Sequence, residues 1–230
     1  MSAIENVSRR GFLKGLGVSS TALVLGVEFS AMSTIPKAFA ETSDDKVFKP
    51  NVYVQIGADS IVSVFVHRSE MGQGIRTSIP MIIADELEAD WDQIEVIQGL
   101  ADKKYGSQNT DGSKSIRQFY KPLREAAASA RMMLEQAGAK FWKVDSSQCI
   151  AQKNYIINTK TGEKLAFGQL VELALLQKLP ETNSLVFKSK EDFRFIGKSN
   201  VPLVDEQDIA TGNTVFGYDV DLPNMGIAVI

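Results

Sequence analysis

The amino-acid sequence predicts an α+β fold. Two β-branched segments, residues 52–56 and 61–66, flank the turn-forming residues 57–60, and together they indicate a β-hairpin. Later segments place apolar residues three and four positions apart, a spacing typical of amphipathic helices. Because the strands and helices alternate without a regular βαβ repeat, the sequence favours α+β over a doubly wound α/β sheet.

The next elements are two helices with a strand between them. A helix is predicted at residues 76–88 and a strand at 91–98, with Pro80 near the helix start, where proline is tolerated. A long helix is predicted at 114–141, and the interior Pro122 should kink it. We expect its buried stripe to contain Ile116, Phe119, Leu123, Ala127, Ala130, Leu134, Ala137 and Phe141.

The last third of the sequence predicts shorter elements. Residues 154–158 should form a strand, and residues 167–179 should form a helix that ends before a proline. Residues 185–196 are expected to be extended. From Pro202 onward the chain is expected to be irregular until an apolar strand at 227–230.

Composition excludes several classes of protein. The 230 residues are 44% hydrophobic and 23% charged, as in globular proteins and unlike disordered, collagen-like or multi-span membrane chains. The net charge of −3 gives no sign of a nucleic-acid binder. A single Cys149 and a single His67 cannot form an iron–sulfur cluster, a structural zinc site or an intramolecular disulfide. We expect a free, partly buried thiol and a hydrogen-bonded structural histidine, so redox chemistry would need a bound cofactor or a segment outside this sequence.

The first forty residues have the pattern of an export signal. Arg9 and Arg10, followed by Phe-Leu-Lys, match the twin-arginine motif. The apolar run at 15–27 is too short for a bilayer-spanning helix, which needs about 20 residues. Small residues at positions 38 and 40 predict cleavage after Ala40, so residues 1–40 would be a signal peptide for the periplasm. Twin-arginine export carries folded proteins, which is consistent with a cofactor installed in the cytoplasm.

Two loops place small and polar residues directly before a predicted helix. Met71-Gly72-Gln73-Gly74 combines glycines, which let a ligand approach the backbone, with an amide that both donates and accepts hydrogen bonds. Residues 110–115 offer hydroxyl and backbone N–H groups, which suit an anionic or polar ligand. From spacing alone, helix capping with Ser113 as the N-cap and ligand binding both remain open.

Other candidate sites have less support. The glycines at 72 and 74 lack the third glycine of a dinucleotide-binding loop, and the sequence contains no Walker-type loop. A hydrolase with Ser113 as nucleophile is disfavoured because no Gly-x-Ser-x-Gly elbow is present. One acidic cluster is expected to be a solvated surface and not a metal site: Asp85, Glu86, Glu88, Asp90 and Asp92.

Three stretches resemble a known family. They are residues 70–77 with 80–87, residues 110–117 with 122–126, and the short motifs at 196–198, 210–212, 216–219 and 222–223. The sequence resembles the molybdopterin-binding large subunit of the xanthine oxidase and aldehyde oxidoreductase family, in particular the branch that contains the isoquinoline 1-oxidoreductase beta subunit. The resemblance implies that residues 41–196 are the amino-terminal part of a molybdopterin-binding domain. Residues 197–230 would be a linker and the truncated start of a hammerhead-like domain.

The resemblance also implies a cofactor and its binding residues. The family binds a molybdenum–molybdopterin cofactor, often as the cytosine dinucleotide, and no cluster or flavin is expected in this chain. Relatives commonly have glycine at the position of Asp111, so this carboxylate should point away from an anionic cofactor. No catalytic base is expected here, and the cofactor-binding residues would be Gly72, Gln73, Gly74, Thr110, Gly112, Ser113 and Ser115.

By resemblance, the reaction is the hydroxylation of an aldehyde or an N-heterocycle with oxygen derived from water. Electrons would pass to a small [2Fe–2S] subunit and then to an acceptor such as a periplasmic cytochrome. We expect a fragment that needs the remainder of the large subunit and is inactive alone, with no nucleic-acid partner and no integral membrane segment. The alternative is a non-catalytic periplasmic binding or partner module derived from such a subunit.

Overall fold

The computed structural model describes residues 23–24, 53–198, 201–226 and 228. The predicted export signal at 1–40 therefore lies outside the described residues apart from two positions, and most of the predicted terminal strand at 227–230 does too. Both stay predictions.

The first sheet has four strands in the order β1-β2-β3-β4. The predicted hairpin is confirmed, because β2 and β3 pair antiparallel with Val54 opposite Val64. β1 adds antiparallel to β2, whereas β4 lies parallel to β3 after a helical crossover. The strands are β1 (Leu23–Val24), β2 (Val54–Ile56), β3 (Val62–Val66) and β4 (Ile94–Gln98).

The predicted helix at 76–88 is confirmed as α1 (Ile75–Leu87), which makes the crossover between β3 and β4. It ends at Glu88, which adopts a left-handed conformation with φ of 62° and donates its N–H to the Ala84 carbonyl. Pro80 lies in the second turn of the helix and not in the first, so the helix runs through a position without a backbone donor. The predicted strand at 91–98 is shorter than expected because residues 91–93 form a single 3₁₀ turn.

The predicted single helix at 114–141 is wrong. The chain forms a short helix, α2 (Lys114–Arg117), and a long helix, α3 (Tyr120–Trp142), separated by two residues. Pro122 consequently falls in the first turn of α3, where its missing N–H leaves no intrahelical bond unmade. Most of the predicted stripe is buried, but Phe141 is 55% exposed, and Trp142 packs against the core instead.

The second sheet has three antiparallel strands in the order β5-β6-β7. They are β5 (Cys149–Gln152), β6 (Tyr155–Asn158) and β7 (Lys164–Ala166), of which only β6 was predicted. Helix α4 (Phe167–Leu175) follows and ends four residues before the predicted end at 179. As expected, Cys149 is a free, buried thiol.

Residues 185–196 form no strand within the described part of the chain. They cross α1 and α3 as an irregular strap with one 3₁₀ turn at 190–192, and two buried carboxylates of α1 hold them there. Asp85 accepts the backbone N–H groups of residues 194–196, and Glu86 accepts that of Lys188 at 3.0 Å. A short helix, α5 (Glu206–Thr211), lies where irregular chain was predicted.

The expectation of a solvated acidic surface is therefore wrong for Asp85 and Glu86, which are both fully buried. Glu86 also pairs with Arg124 at 2.7 Å and with Arg131 at 3.1 Å, both on α3. A buried carboxylate needs such partners because its transfer out of water is unfavourable. These ion pairs join the strap, α1 and α3 into one unit.

One continuous core connects the two sheets and the helices between them. Helices α1 and α4 both pack on α3, and buried residues from β2, β3, β5 and β6 join the same cluster. Asn154, buried and left-handed at φ of 61°, donates to the Ser60 carbonyl at 2.8 Å and to Gln93 Oε1 at 2.6 Å. Within the described ranges, no helix is both long enough and apolar enough to cross a bilayer.

Candidate functional site

The two polar loops singled out in the sequence lie side by side. Loop A (residues 69–74) connects β3 to α1, and loop B (residues 108–113) precedes α2. The backbone N–H of Ser69 donates to Thr110 Oγ1 at 3.2 Å. The fold thus brings together two segments that are 41 residues apart in sequence.

Glu70 organises loop A. Its carboxylate accepts backbone N–H groups from Gly72 at 2.8 Å and from Gly74 and Arg76 at 3.0 Å each. Burial raises the pKa of Glu70, but the combined N–H donors outweigh burial and hold the pKa below its usual value. The positive end of α1 is therefore already occupied by a carboxylate of the loop itself.

The three predicted residues of loop A have different environments. Gly72 is exposed at φ of 91°, and no atom of the described residues lies within 4 Å of the position a Cβ would take. Gly74, at φ of 78°, is buried beside Leu203. Both ends of the Gln73 amide bond within the loop, since Oε1 accepts from Met71 N at 2.6 Å and Nε2 donates to the Ser69 carbonyl at 2.9 Å.

Loop B exposes its backbone and one hydroxyl. Gly112 and Ser113 are exposed and left-handed, with φ of 50° and 55°, whereas Thr110 is half-buried and Ser115 is buried in α2. Ser113 occupies the predicted N-cap position, but its hydroxyl makes no capping bond with the described residues. The side chain of Asp111 pairs with Lys114 Nζ at 3.2 Å.

A cluster of buried aromatic rings lies where β3 leads into loop A. His67 and Arg68 are buried at the end of β3, and the His67 ring lies 4.2 Å from Phe119 and 4.9 Å from Tyr53 between centroids. Burial, with a smaller effect of the Arg68 charge, lowers the pKa of His67 to about 3. The ring is thus neutral at physiological pH. Neither of its nitrogens has a hydrogen-bond partner among the described residues, which corrects the expectation of a hydrogen-bonded histidine.

Arg68 connects the aromatic cluster to loop B. Its Nη1 donates to the Asn109 carbonyl, and its guanidinium carbon lies 4.7 Å from the centroid of the Phe119 ring. The sequence reasoning missed this role and that of Glu70. A carboxylate shortly before a helix start can accept the free N–H groups of the first turn, and this position could have indicated Glu70. No local pattern indicates Arg68, because its partners are far away in sequence.

A groove of about 280 Å³ opens beside loop A. Its lining includes Glu70, Arg76, Asp205 and residues 214–217. Arg76 pairs with Asp205 at 3.4 Å. Among the residues that the structure describes, no three His, Cys, Asp or Glu side chains are grouped so that they could hold a metal ion.

Comparison with known proteins decides the family. Residues 2–215 match the model of the molybdopterin cofactor-binding domain. The chain belongs to this family. This confirms the resemblance to molybdopterin-binding large subunits that the sequence predicted. The matched residues include both loops.

Curated relatives of this family member are oxidoreductases. It is 28% identical over 97% of its length to the beta subunit of isoquinoline 1-oxidoreductase from Brevundimonas diminuta, of which it spans 33%. It is 28% identical to the membrane-bound aldehyde dehydrogenase [pyrroloquinoline-quinone] of Gluconacetobacter polyoxogenes, with 96% and 28% of the two chains covered. For a nicotinate dehydrogenase subunit of Pseudomonas putida the identity is 29%, with 90% and 17% covered.

The chain thus spans a third or less of the length of these relatives. Among solved structures, quinoline 2-oxidoreductase from Pseudomonas putida 86 aligns with 54% of this chain and 16% of its own, at 18% identity and a TM-score of 0.45.

The residues of the two loops fit an anionic pterin cofactor. The open space at Gly72 allows a planar ligand to approach the backbone, which a side chain there would prevent. The exposed Ser113 hydroxyl can both donate and accept a hydrogen bond. Arg68 Nε and Nη2 are buried and have no hydrogen-bond partner within the described ranges, and they place positive charge beneath both loops. Contact between the cofactor and the seven predicted residues stays a prediction.

Proposed function

We propose that this chain forms part of the cofactor-binding wall in the large subunit of a molybdenum hydroxylase that oxidises aldehydes or N-heterocycles. The observation that carries the proposal is the convergence of the two family-specific motifs, joined by the hydrogen bond from Ser69 N–H to the Thr110 hydroxyl. The names of the relatives, which include an isoquinoline oxidoreductase and an aldehyde dehydrogenase, support this substrate class.

In this proposal, the residues of the chain bind and orient the cofactor and do no proton transfer. The backbone at Gly72 and Gly112 accommodates the pterin, and the hydroxyls of Thr110 and Ser113 hydrogen-bond to it. Gln73 is held by its own loop at both ends of its amide, so its position is set before any ligand binds. The bound molybdenum supplies the two-electron oxidation and the transfer of oxygen derived from water.

Export and electron transfer belong to the same proposal. The twin-arginine motif at Arg9 and Arg10 supports export of a folded, cofactor-loaded protein to the periplasm, with cleavage after Ala40. A chain with one cysteine cannot hold a [2Fe–2S] cluster on four thiolates. We propose that electrons leave through a separate [2Fe–2S] subunit, with a periplasmic cytochrome as the next acceptor. We also propose that the cofactor is the cytosine dinucleotide form, and that activity needs the remainder of the large subunit.

The test is purification of the tagged chain from the periplasm of its native host. We expect molybdenum, and a pterin that becomes fluorescent after release and oxidation, in equal amounts, together with co-purifying oxidoreductase subunits. The mature chain should begin at Glu41. A chain that melts cooperatively but carries neither molybdenum nor pterin would overturn the proposal and support the non-catalytic binding module.

A further inference from the structure

A ladder of three hydrogen bonds connects the end of β3 to loop B. Residues 67, 68 and 69 each bond one member of the consecutive set 108–110. The bonds run from Gln108 Nε2 to the His67 carbonyl at 3.2 Å, from Arg68 Nη1 to the Asn109 carbonyl, and from Ser69 N–H to Thr110 Oγ1 at 3.2 Å.

Arg68 is the one charged member of this ladder, and it is fully buried. Buried charges are normally paired, because the loss of hydration costs several kcal/mol unless new partners replace the water. Of its guanidinium nitrogens, Nη1 bonds the Asn109 carbonyl, but Nε and Nη2 have no hydrogen-bond partner among the described residues. Asp111 contributes a negative charge nearby, yet its carboxylate is ion-paired with Lys114.

The surroundings fix the guanidinium in place. The Phe119 ring packs on it at 4.7 Å, and Gln98 Nε2 donates to the backbone carbonyl of Arg68 at 3.2 Å. Burial lowers the pKa of Arg68, while Tyr53 and Asp111 oppose that shift. A rigid, buried cation at the base of two ligand loops acts over a short distance through a medium of low dielectric constant, where its attraction for an anion is strong.

We propose that Arg68 is a positioning residue: it fixes loop B against loop A and gives the two-loop site its preference for an anionic, phosphate-bearing ligand. This inference rests on the proposed function. Arg68 acts through the Asn109 carbonyl and through its charge, and it makes no contact with the reacting atoms.

Two variants of the full chain separate these two effects. Arg68→Met removes the donor and the charge but keeps a long apolar side chain beside Phe119. Arg68→Lys keeps the charge but loses the planar fork that reaches Asn109 while stacking on the ring. Arg131→Met is the control, because Arg131 is a half-buried arginine that also donates to a backbone carbonyl, that of Val186 in the strap, at the opposite end of α1.

Hydrogen exchange of the cofactor-free chain tests the fixing of the loop. We expect the amides of Ser69 and Lys114, which donate to Thr110 Oγ1 and to the Asp111 carbonyl of loop B, to exchange about tenfold faster in both Arg68 variants, which corresponds to about 1.4 kcal/mol of lost protection. The Arg131 variant should leave these two amides unchanged and instead speed exchange at Lys188, whose N–H donates to Glu86. Equal exchange of the Ser69 and Lys114 amides in wild-type and Arg68→Met chains would overturn the proposal.

Inorganic phosphate, compared with sodium chloride at equal ionic strength, tests the anion preference. We expect phosphate to raise the melting temperature of the wild type, Arg131→Met and Arg68→Lys, but not of Arg68→Met. An equal phosphate shift in Arg68→Met would overturn the role of the charge. Neither measurement needs a bound pterin, so the two failures are distinguishable: absence of pterin from the native protein would refute the proposed function, whereas an Arg68→Met chain that behaves like the wild type would refute the role of Arg68.

Discussion

Glu70 accepts three backbone N–H bonds at the start of α1, and its replacement by alanine leaves these donors without an acceptor. The N–H of the exposed Gly72 can turn to water, but those of the buried Gly74 and half-buried Arg76 can do so only if the loop opens. Loss of a helix cap costs about 1 kcal/mol on average and about 2 kcal/mol at most. Because two of the donors are shielded, we expect a loss of about 2 kcal/mol for Glu70→Ala.

The glutamine variant should lose about half as much. Oε1 of Glu70 serves Gly72 and Gly74, and Oε2 serves Arg76, so an amide keeps one oxygen and loses the other together with the charge. We therefore expect about 1 kcal/mol for Glu70→Gln. For a chain of this size, 1 kcal/mol corresponds to about 2–4 °C in melting temperature.

Urea denaturation monitored by circular dichroism measures both losses. Asp145→Ala is the control, since Asp145 also caps a turn but accepts a single N–H, from Ser147 at 2.9 Å, at an exposed site. It should cost a small fraction of the loss in Glu70→Ala. The reasoning is refuted if Glu70→Ala costs no more than Asp145→Ala.

The effect of Glu70 should also depend on pH. Its folded-state pKa is lower than the ordinary value of 4.5, so the unfolded chain takes up the proton first as the pH falls. The stability that Glu70 contributes is therefore fully present above pH 4.5 and decreases as the pH falls below this value through the folded-state pKa. The difference between wild type and Glu70→Ala should be constant from pH 6 to 7 and smaller at pH 3.5. A difference that grows in acid would contradict this sign.

Three further predictions concern the framework around the site. Glu86→Gln, which removes the fully buried carboxylate that pairs with the half-buried Arg124 and Arg131, should cost about 2–3 kcal/mol in urea denaturation. Glu125→Gln is the control, because it loses only a pair with an exposed lysine and should cost less than about 1 kcal/mol. Equal losses of stability in the Glu86 and Glu125 variants would refute this prediction. Gly168→Ala would place a Cβ 2.1 Å from a carbonyl oxygen and should cost about 3 kcal/mol by calorimetry, whereas Gly217→Ala, in open space, should have little effect. Cys149 is 3% exposed, and burial raises its thiol pKa, so an aromatic disulfide reagent should label it only as fast as the chain unfolds; faster labelling would contradict its burial.

The sequence predicted correctly the elements that depend on residues close together in the chain. The hairpin β2-β3 and helix α1 follow from alternation and helical spacing, and the structure confirms both. The break between α2 and α3 also has a local cause. In a continuous helix the ring of Pro122 would clash with the carbonyl of residue 118, and the helix stops there and restarts so that the proline lies in a first turn. The apolar spacing continues across the break, and for this reason one continuous helix was predicted.

Long-range contacts could not be predicted in the same way. Asp85 and Glu86 look like members of an exposed acidic run, yet their partners are the strap, about 100 residues later, and two arginines of α3. The sequence also gives no indication of the ladder between residues 67–69 and 108–110, because each of its bonds involves a backbone group that every residue carries. The sequence therefore singled out the two loops, but not the contacts that hold them together.

The central claim is that a pterin cofactor lies against the open face of loops A and B. The most direct measurement is the amount of pterin per folded chain in Gly72→Val, compared with Gly162→Val, in protein purified from the native host. Both glycines have a positive φ, 91° and 76°, and open space at the Cβ position, so both substitutions carry the same backbone strain, but Gly162 lies in the distant β6-β7 turn. We predict that Gly72→Val loses at least about tenfold in pterin while Gly162→Val keeps the wild-type amount. Equal pterin content in the two variants would contradict the account.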